Sequence, residues 1–329
     1  MSTPPTDSYQ RRIDYLRVSV TDRCNLRCTY CMPADGVPKL DHSEILRYEE
    51  ILRLVRIAAR TGISKIRVTG GEPLVRKDIL YLCETISHIP EVESLSITTN
   101  GVLLERFAED LVRVGVKRIN ISLDTLKPDK YALITREDRF HEVWRGIEAA
   151  REAGLTPIKL NAVAMRGVND DEIEDLARLT FEYPFHVRFI EFMPFGEEEC
   201  TSSFISADEI VARLSRVAPL MPAETRNGNG PARHYRFSGA KGKIGIISPV
   251  SHHFCSTCNR LRLTADGKLR TCLFSTEETD MKTLIRQGLL DDDLFATLRK
   301  AISQKPEKHQ LVSGSLRKCV NRPMVAIGG

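Results

Sequence analysis

Cys24-Asn25-Leu26-Arg27-Cys28-Thr29-Tyr30-Cys31 is a C-x₃-C-x₂-C run near the start of the chain. It follows an extended-looking segment, Tyr15 to Val20, and precedes a loop bearing proline and glycine. Three thiolates packed this tightly suit an iron–sulfur cluster better than disulfides with one another. A four-iron cluster takes four ligands and the run supplies three, so one iron stays open. An open metal position is where chemistry happens rather than where a fold is stapled. Scattered core cysteines would not cluster at these spacings, and a zinc site usually draws on pairs of C-x₂-C.

Outward from this run, short apolar segments alternate with amphipathic ones as far as residue 191. Strand-like runs are Leu16–Val20, Ile66–Thr69, Leu95–Thr98, Arg118–Leu123, Pro157–Val163 and Val187–Phe192. Between them, Ile51, Leu54, Val55 and Ala58 repeat at helical spacing, with Gly62 where a C-terminal cap belongs. Leu104–Val114 before Gly115 and Val143–Ala153 before Gly154 follow the same logic, and Asp170–Phe181 is a further helix. Strands alternating with helices give βαβ units and a parallel sheet. Six units are too few for a closed eight-strand barrel, so the expectation is α/β, an open partial (βα)₆ barrel of TIM type over residues 1–195. Residues 196–329 read as a smaller α+β region. It holds a polar linker at Gly196–Ser203, a turn cluster at Asn227–Pro231, a helix at Asp208–Val217, strands near Tyr235 and Ile244–Ile247, and a hairpin turning at Asp266-Gly267.

Parallel barrels carry their chemistry at the carboxyl ends of the strands. Thr69-Gly70-Gly71-Glu72-Pro73, Thr98-Thr99-Asn100-Gly101, Ser122 and Asp124, Lys159 and Asn161, and Arg188 and Glu191 are placed there. The two glycines let backbone approach a ligand closely, and Glu72 can accept from an ammonium group. Without the Lys-Ser/Thr of a phosphate loop, that segment is no nucleotide signature. Arg17, Arg67 and Lys159 on separate strands are costly to bury unpaired. Either they pair with carboxylates such as Glu191, or they line a pocket for an anion, and a triphosphate would satisfy them well.

A second group of cysteines comprises Cys255, Cys258 and Cys272. Taken alone its spacing favours zinc, with His252 or His253 available as a fourth ligand. Beside the first run, a second cluster with an open iron is equally served. Arg260-Leu261-Arg262 lies between the cysteines, and on a strand both guanidiniums face one way. Forked donors of this kind suit phosphate oxygens. Of the nine cysteines, Cys83 reads as a buried apolar residue, and Cys200 and Cys319 receive no role.

Composition limits the alternatives. With 42% apolar and 28% charged residues and a net charge of +4, the chain is an ordinary globular protein, too mildly basic to argue for nucleic acid. No stretch of about 18 apolar residues would span a membrane, and Met1–Asp7 lacks the apolar core of a signal peptide. A cytoplasmic protein with reduced thiols is expected.

The C-x₃-C-x₂-C run with an aromatic before its last cysteine, together with Gly-Gly-Glu-Pro after the second strand, resembles the radical S-adenosylmethionine enzymes. Phe254-Cys-Ser-Thr-Cys-Asn-Arg-Leu-Arg262, Cys272 and the terminal Gly328-Gly329 narrow the resemblance to the GTP 3′,8-cyclases of molybdenum-cofactor biosynthesis. It runs from about Tyr15 to Gly329. It implies a partial barrel whose mouth is closed by the C-terminal extension, and two 4Fe–4S clusters, held by Cys24, Cys28 and Cys31 and by Cys255, Cys258 and Cys272. S-adenosylmethionine would meet Tyr30, Gly71, Glu72, Ser122 and Met193. GTP would meet Arg17, Arg67, Thr98, Lys159, Arg188, Arg260, Leu261 and Arg262. Catalysis would fall to the first three cysteines, Arg17, Gly328 and Gly329, the tail inserting into the site. A 5′-deoxyadenosyl radical would take the ribose 3′ hydrogen, and the carbon radical would close onto C8 of guanine, so the chain is expected to be a lyase. Implied partners are GTP, an electron donor such as flavodoxin or ferredoxin, and the downstream cyclic pyranopterin monophosphate synthase. A monomer or homodimer is expected, with no membrane and no nucleic acid. A peptide-modifying radical enzyme would carry more C-terminal cysteines. An RNA-binding metal module would interleave aromatics with its cations, and aromatics are only 6% of the chain.

Overall fold

The computed structural model describes residues 4–193, 203–224, 230–309 and 322–328. In chain order its strands and helices are β1 (Tyr15–Ser19), α1 (Tyr48–Arg60), β2 (Lys65–Thr69), α2 (Ile79–Ser87), β3 (Ser94–Thr99), α3 (Leu104–Arg113), β4 (Arg118–Ser122), α4 (Pro128–Thr135), α5 (Phe140–Glu152), β5 (Ile158–Ala164), α6 (Ile173–Glu182) and β6 (His186–Glu191). They continue as α7 (Ala207–Leu214), β7 (Leu220–Pro222), β8 (Ala232–Phe237), β9 (Lys243–Ile247), β10 (Arg260–Leu263), β11 (Lys268–Arg270), β12 (Thr279–Asp280), α8 (Met281–Arg286) and α9 (Asp291–Ser303).

Helix α1 illustrates why these segments take their shapes. Ile51, Leu54, Val55 and Ala58 form one buried stripe. Glu50 reaches back to the Arg47 backbone N–H at 2.7 Å, closing a capping box. Gly62, at φ +101°, ends the helix where a side chain would be strained. In β1 and β2 the alternation is equally plain: Leu16, Val18, Ile66 and Val68 are buried in the core, while Tyr15, Arg17, Lys65 and Arg67 face a cavity.

All strands among the described residues join one sheet, in the order β12-β11-β10-β1-β2-β3-β4-β5-β6-β9-β8-β7. The six-strand parallel core is consistent with a partial barrel. The C-terminal strands extend it at both edges: β10 pairs parallel with β1, and β9 pairs parallel with β6. The parallel run is therefore eight strands wide, bordered on each side by antiparallel strands. Residues after 196 thus share the sheet with those before it. The turn at Asp266-Gly267 joins β10 to β11, with Gly267 at φ +80°. Parts of the polar linker and turn cluster, Cys200, Cys319 and Gly329 lie outside the described residues. Cys83 is fully buried in the core. No helix among the described residues is long and apolar enough to cross a membrane.

Candidate active site

The loop after β1 carries the first cysteine trio and is built onto the loop after β2. Gly71 N–H donates to the Thr21 carbonyl at 2.7 Å, and Glu72 N–H donates to the Arg23 carbonyl at 2.8 Å. A Cβ on Gly71 would stand 2.3 Å from the Arg23 carbonyl oxygen, so only glycine permits this approach. The two glycines therefore admit the cysteine loop's own backbone as well as lining the cavity. Glu72 is buried and accepts from Leu74 N–H at 3.0 Å, Thr99 Oγ at 2.7 Å and Asn100 N–H at 2.6 Å. Burial pushes its carboxyl up to about 7. Glu72 thereby holds Asn100, whose side chain reaches Asn25 at 2.8 Å and the Cys24 sulfur at 3.7 Å. The same loop is fastened to β4 by Tyr30, whose hydroxyl donates to Asp124 at 2.7 Å, while Asp124 also accepts from Val163 N–H.

Cys24, Cys28, Cys31, Cys255, Cys258 and Cys272 all line one cavity of about 940 Å³. Within each trio the thiols sense one another's charge, Cys24 with Cys28, Cys28 with Cys31, and Cys255 with Cys258 and Cys272. Burial pushes Cys24 up to about 12. Cys28 is raised by its hydrogen bond with the Cys31 side chain and by burial. Cys258 differs: burial pushes it up, but Arg260 and Lys305 outweigh this and bring it down to about 7. Among the described residues no His, Cys, Asp or Glu group is drawn together as ligands of a single ion. His252, a candidate zinc ligand, is instead engaged with Asp208 at 2.8 Å.

Between the trios the cavity wall is lined with cations. Arg262, Arg17 and Arg67 lie abreast on β10, β1 and β2, Arg17 in register with both neighbours. Strands are about 4.8 Å apart, so three guanidiniums share one row. Across the cavity Lys159 on β5 is in register with His186 on β6, and Asn161 with Arg188. Gly245 on β9 leaves room for the Arg188 side chain, since a Cβ there would meet its Cγ at 2.9 Å. Burial, followed by Arg188, Arg67 and Arg118, lowers Lys159 to about 6. Burial and neighbouring cations likewise bring Arg188 and Arg262 down to about 10, and pull Arg17 well down. His186 falls to about 3 and His234 to about 4 for the same reasons. Glu191 does not relieve this charge, because it accepts from Ala207, Val250 and Ser251 instead. Among the described residues, Thr98 Oγ, Asn161 Oδ, Arg188 Nε and His234 Nδ1 are buried without a hydrogen-bond partner. Such a lining is matched by a large polar anion.

Tyr30, Gly71, Ser122, Met193, Arg17, Arg67, Thr98, Lys159, Arg188, Arg260 and Arg262 are all brought to the cavity. Two placements differ from expectation. Lys159 is the second residue of β5 and Arg17 and Arg67 are mid-strand, so the site descends the inner face of the sheet rather than staying at the carboxyl ends. Leu261 packs into the core on the opposite face of β10, leaving only its backbone toward the cavity side. Gly328 sits at φ +72° beside Ser19 and Thr69, and its carbonyl accepts from Arg262 at 2.8 Å. Arg118, His186 and His234 also line the cavity and were not singled out by sequence. Arg118 and His186 begin their strands, the ends that the barrel rule directs attention away from.

Residues 18–180 match the model of the Radical SAM superfamily, and residues 185–311 match Molybdenum Cofactor Synthesis C. A GTP 3′,8-cyclase of Moorella thermoacetica is 53% identical over 98% of this chain and 99% of that protein. One from Pelotomaculum thermopropionicum is 49% identical over 98% and 99%. Among solved structures, Streptococcus suis SuiB bound to S-adenosylmethionine has a TM-score of 0.61 at 15% identity, covering 95% of this chain and 77% of that one, a likeness of fold. Apart from Tyr15, Arg17, Met324 and Val325, the residues lining the cavity lie within the two matched ranges, and the chain belongs to the GTP 3′,8-cyclase family of the radical SAM superfamily.

Proposed function

We propose that the protein converts GTP to (8S)-3′,8-cyclo-7,8-dihydroguanosine 5′-triphosphate, the first step of molybdenum-cofactor biosynthesis. The observation carrying this reading is that both cysteine trios open onto one cavity whose intervening wall is a field of buried cations. Cys24, Cys28 and Cys31 would hold one 4Fe–4S cluster and Cys255, Cys258 and Cys272 the other. Tyr30, Gly71, Ser122 and Met193 would border S-adenosylmethionine, with Glu72 holding their loop. When bound, the first cluster and S-adenosylmethionine supply the one-electron chemistry that removes a hydrogen atom from the ribose.

The chain's own residues do the remaining work. Arg17, Arg67, Lys159, Arg188 and Arg262 would bind the triphosphate, with Arg260 and Thr98 at its margins. Because these side chains are already desolvated and crowded, an anion meets them with little further desolvation. Lys159 gains a proton at Nζ as the phosphates arrive, because their charge restores a basicity that its neighbours suppress. The Gly328 carbonyl fixes the Arg262 guanidinium, so the fork is aimed before substrate enters. The buried aliphatic faces of β1 and β2 shield the far side of the same row from water.

The finer statements rest on the same reading. Residues 1–195 would form the barrel and 196–329 the auxiliary-cluster and substrate region, with Gly329 completing the tail. An electron donor such as flavodoxin or ferredoxin and a downstream cyclic pyranopterin monophosphate synthase would be its partners, in the cytoplasm, with the enzyme a monomer or homodimer. Anaerobic incubation with GTP, S-adenosylmethionine and dithionite, followed by product mass spectrometry, tests the proposal. Formation of the cyclised nucleotide supports it, and recovery of unchanged GTP from protein carrying both clusters contradicts it.

A further inference from the structure

Two buried cations that belong to neither cysteine run converge on the second one. Lys305, just beyond α9, is 3% exposed. Its ammonium donates to the Arg260 carbonyl at 3.1 Å and, at shorter range, to the Thr271 carbonyl. Arg260 stands two residues after Cys258, and Thr271 directly precedes Cys272, so one ammonium bridges both arms of the site. No carboxylate pairs with Lys305 among the described residues. A buried ammonium without a counter-anion is costly, so the negative partner it faces is the sulfur set itself. Its influence on the Cys258 thiol, by charge and by hydrogen bond, agrees with that placement.

Arg11 comes from the opposite end of the chain and is also buried. It donates to the backbone carbonyls of Cys255 at 2.8 Å, Glu307 at 2.7 Å, Pro306 at 2.7 Å and Lys305 at 3.4 Å. Asp7 accepts its Nε at 2.6 Å and neutralises it locally. Arg11 therefore fixes both the first cysteine's backbone and the segment that delivers Lys305.

We propose that Arg11 and Lys305 are positioning residues for the second cysteine site. Arg11 anchors the Cys255 backbone, while Lys305 ties the Cys258 and Cys272 arms together and supplies the positive charge facing their sulfurs. This rests on reading those cysteines as cluster ligands. A cation beside a cluster stabilises its reduced, more negative state and raises its reduction potential, and outer contacts of this kind govern metal retention.

The test uses anaerobically isolated full-length protein: unsubstituted, Lys305→Gln, Lys305→Arg and Arg11→Gln. Iron per chain, the rate of iron loss to a chelator, and potentiometric EPR titration of each cluster are read. Lys305→Gln is expected to lose second-site iron about tenfold faster or more, with the remaining second cluster titrating at a more negative potential and the first unchanged. Lys305→Arg keeps the charge and restores the potential. Arg11→Gln is expected to speed iron loss without moving the potential, because its charge is already matched by Asp7. Wild-type retention and potential in Lys305→Gln would overturn the proposal. Should that variant not accumulate as folded protein, wild-type retention in Arg11→Gln overturns it instead. Unsubstituted protein with iron only at the first site would defeat the ligand reading beneath it, a distinguishable outcome.

Discussion

Lys159 shows how much a single side chain can report about the ligand a pocket expects. Its ammonium is lowered to about 6 by burial and by Arg188, Arg67 and Arg118, with no carboxylate among those causes. In the free protein it is mostly neutral at pH 7, and bound phosphates would raise it. A group whose pKa rises on binding favours the complex fully below the free value and ceases to help above the bound one. GTP affinity is therefore expected to strengthen as pH falls from the alkaline range, levelling below about 6, with net proton uptake at pH 7. Calorimetry in buffers of different ionisation enthalpy measures that uptake, and Lys159→Met should abolish it while weakening binding about tenfold or more. Glu72 makes a different point. Replacing it with Gln keeps the shape but turns one acceptor of a buried three-donor network into a donor. A loss of about 1–3 kcal/mol in stability is expected by denaturant titration, with first-cluster iron falling and second-cluster iron unchanged.

At the scale of elements, the loops after β1 and β2 act as one unit because Gly71 lies against the Arg23 carbonyl. Gly71→Ala must displace backbone, and a cost of about 1–3 kcal/mol is expected, together with loss of the first cluster, read from iron content against the melting temperature. The tail is a second such unit. Removing Gly328-Gly329 takes away the carbonyl that Arg262 donates to, so turnover should fall sharply while thermal stability and both clusters persist. Much of this layer was legible in the sequence. The six core strands and helices α1, α3 and α5 announce themselves through apolar spacing and terminal glycines. Helix α4 does not, since the apolar residues of Pro128–Thr135 are not gathered on one face: Tyr131 and Ile134 are buried while Leu133 is exposed. The pairing of β10 with β1 is equally invisible: four residues, Arg-Leu-Arg-Leu, meet Tyr15–Val18 across some 245 positions, and no local pattern encodes that register. The cysteines and arginines could be named from their spacing and resemblance. The work of Glu72, Arg11 and Lys305 could not, because it depends on hydrogen bonds to groups far along the chain.

The whole molecule is one sheet wrapped around a charge problem. Its two edges are both built from the C-terminal region, which brings Cys255, Cys258 and Cys272 into the cavity that the first loop opens from the other side. Lys159, Arg188 and Arg67 crowd one another there, so the proposed triphosphate would relieve their mutual repulsion. The proposed function requires that GTP bind in this cavity with its ribose 3′ carbon presented to the chemistry of the first trio. The most direct measurement is single turnover with GTP deuterated at the ribose 3′ carbon. Deuterium recovered in 5′-deoxyadenosine, with a cyclised nucleotide lacking it, is the predicted result. Deuterium retained at the 3′ carbon while S-adenosylmethionine is consumed would contradict the account.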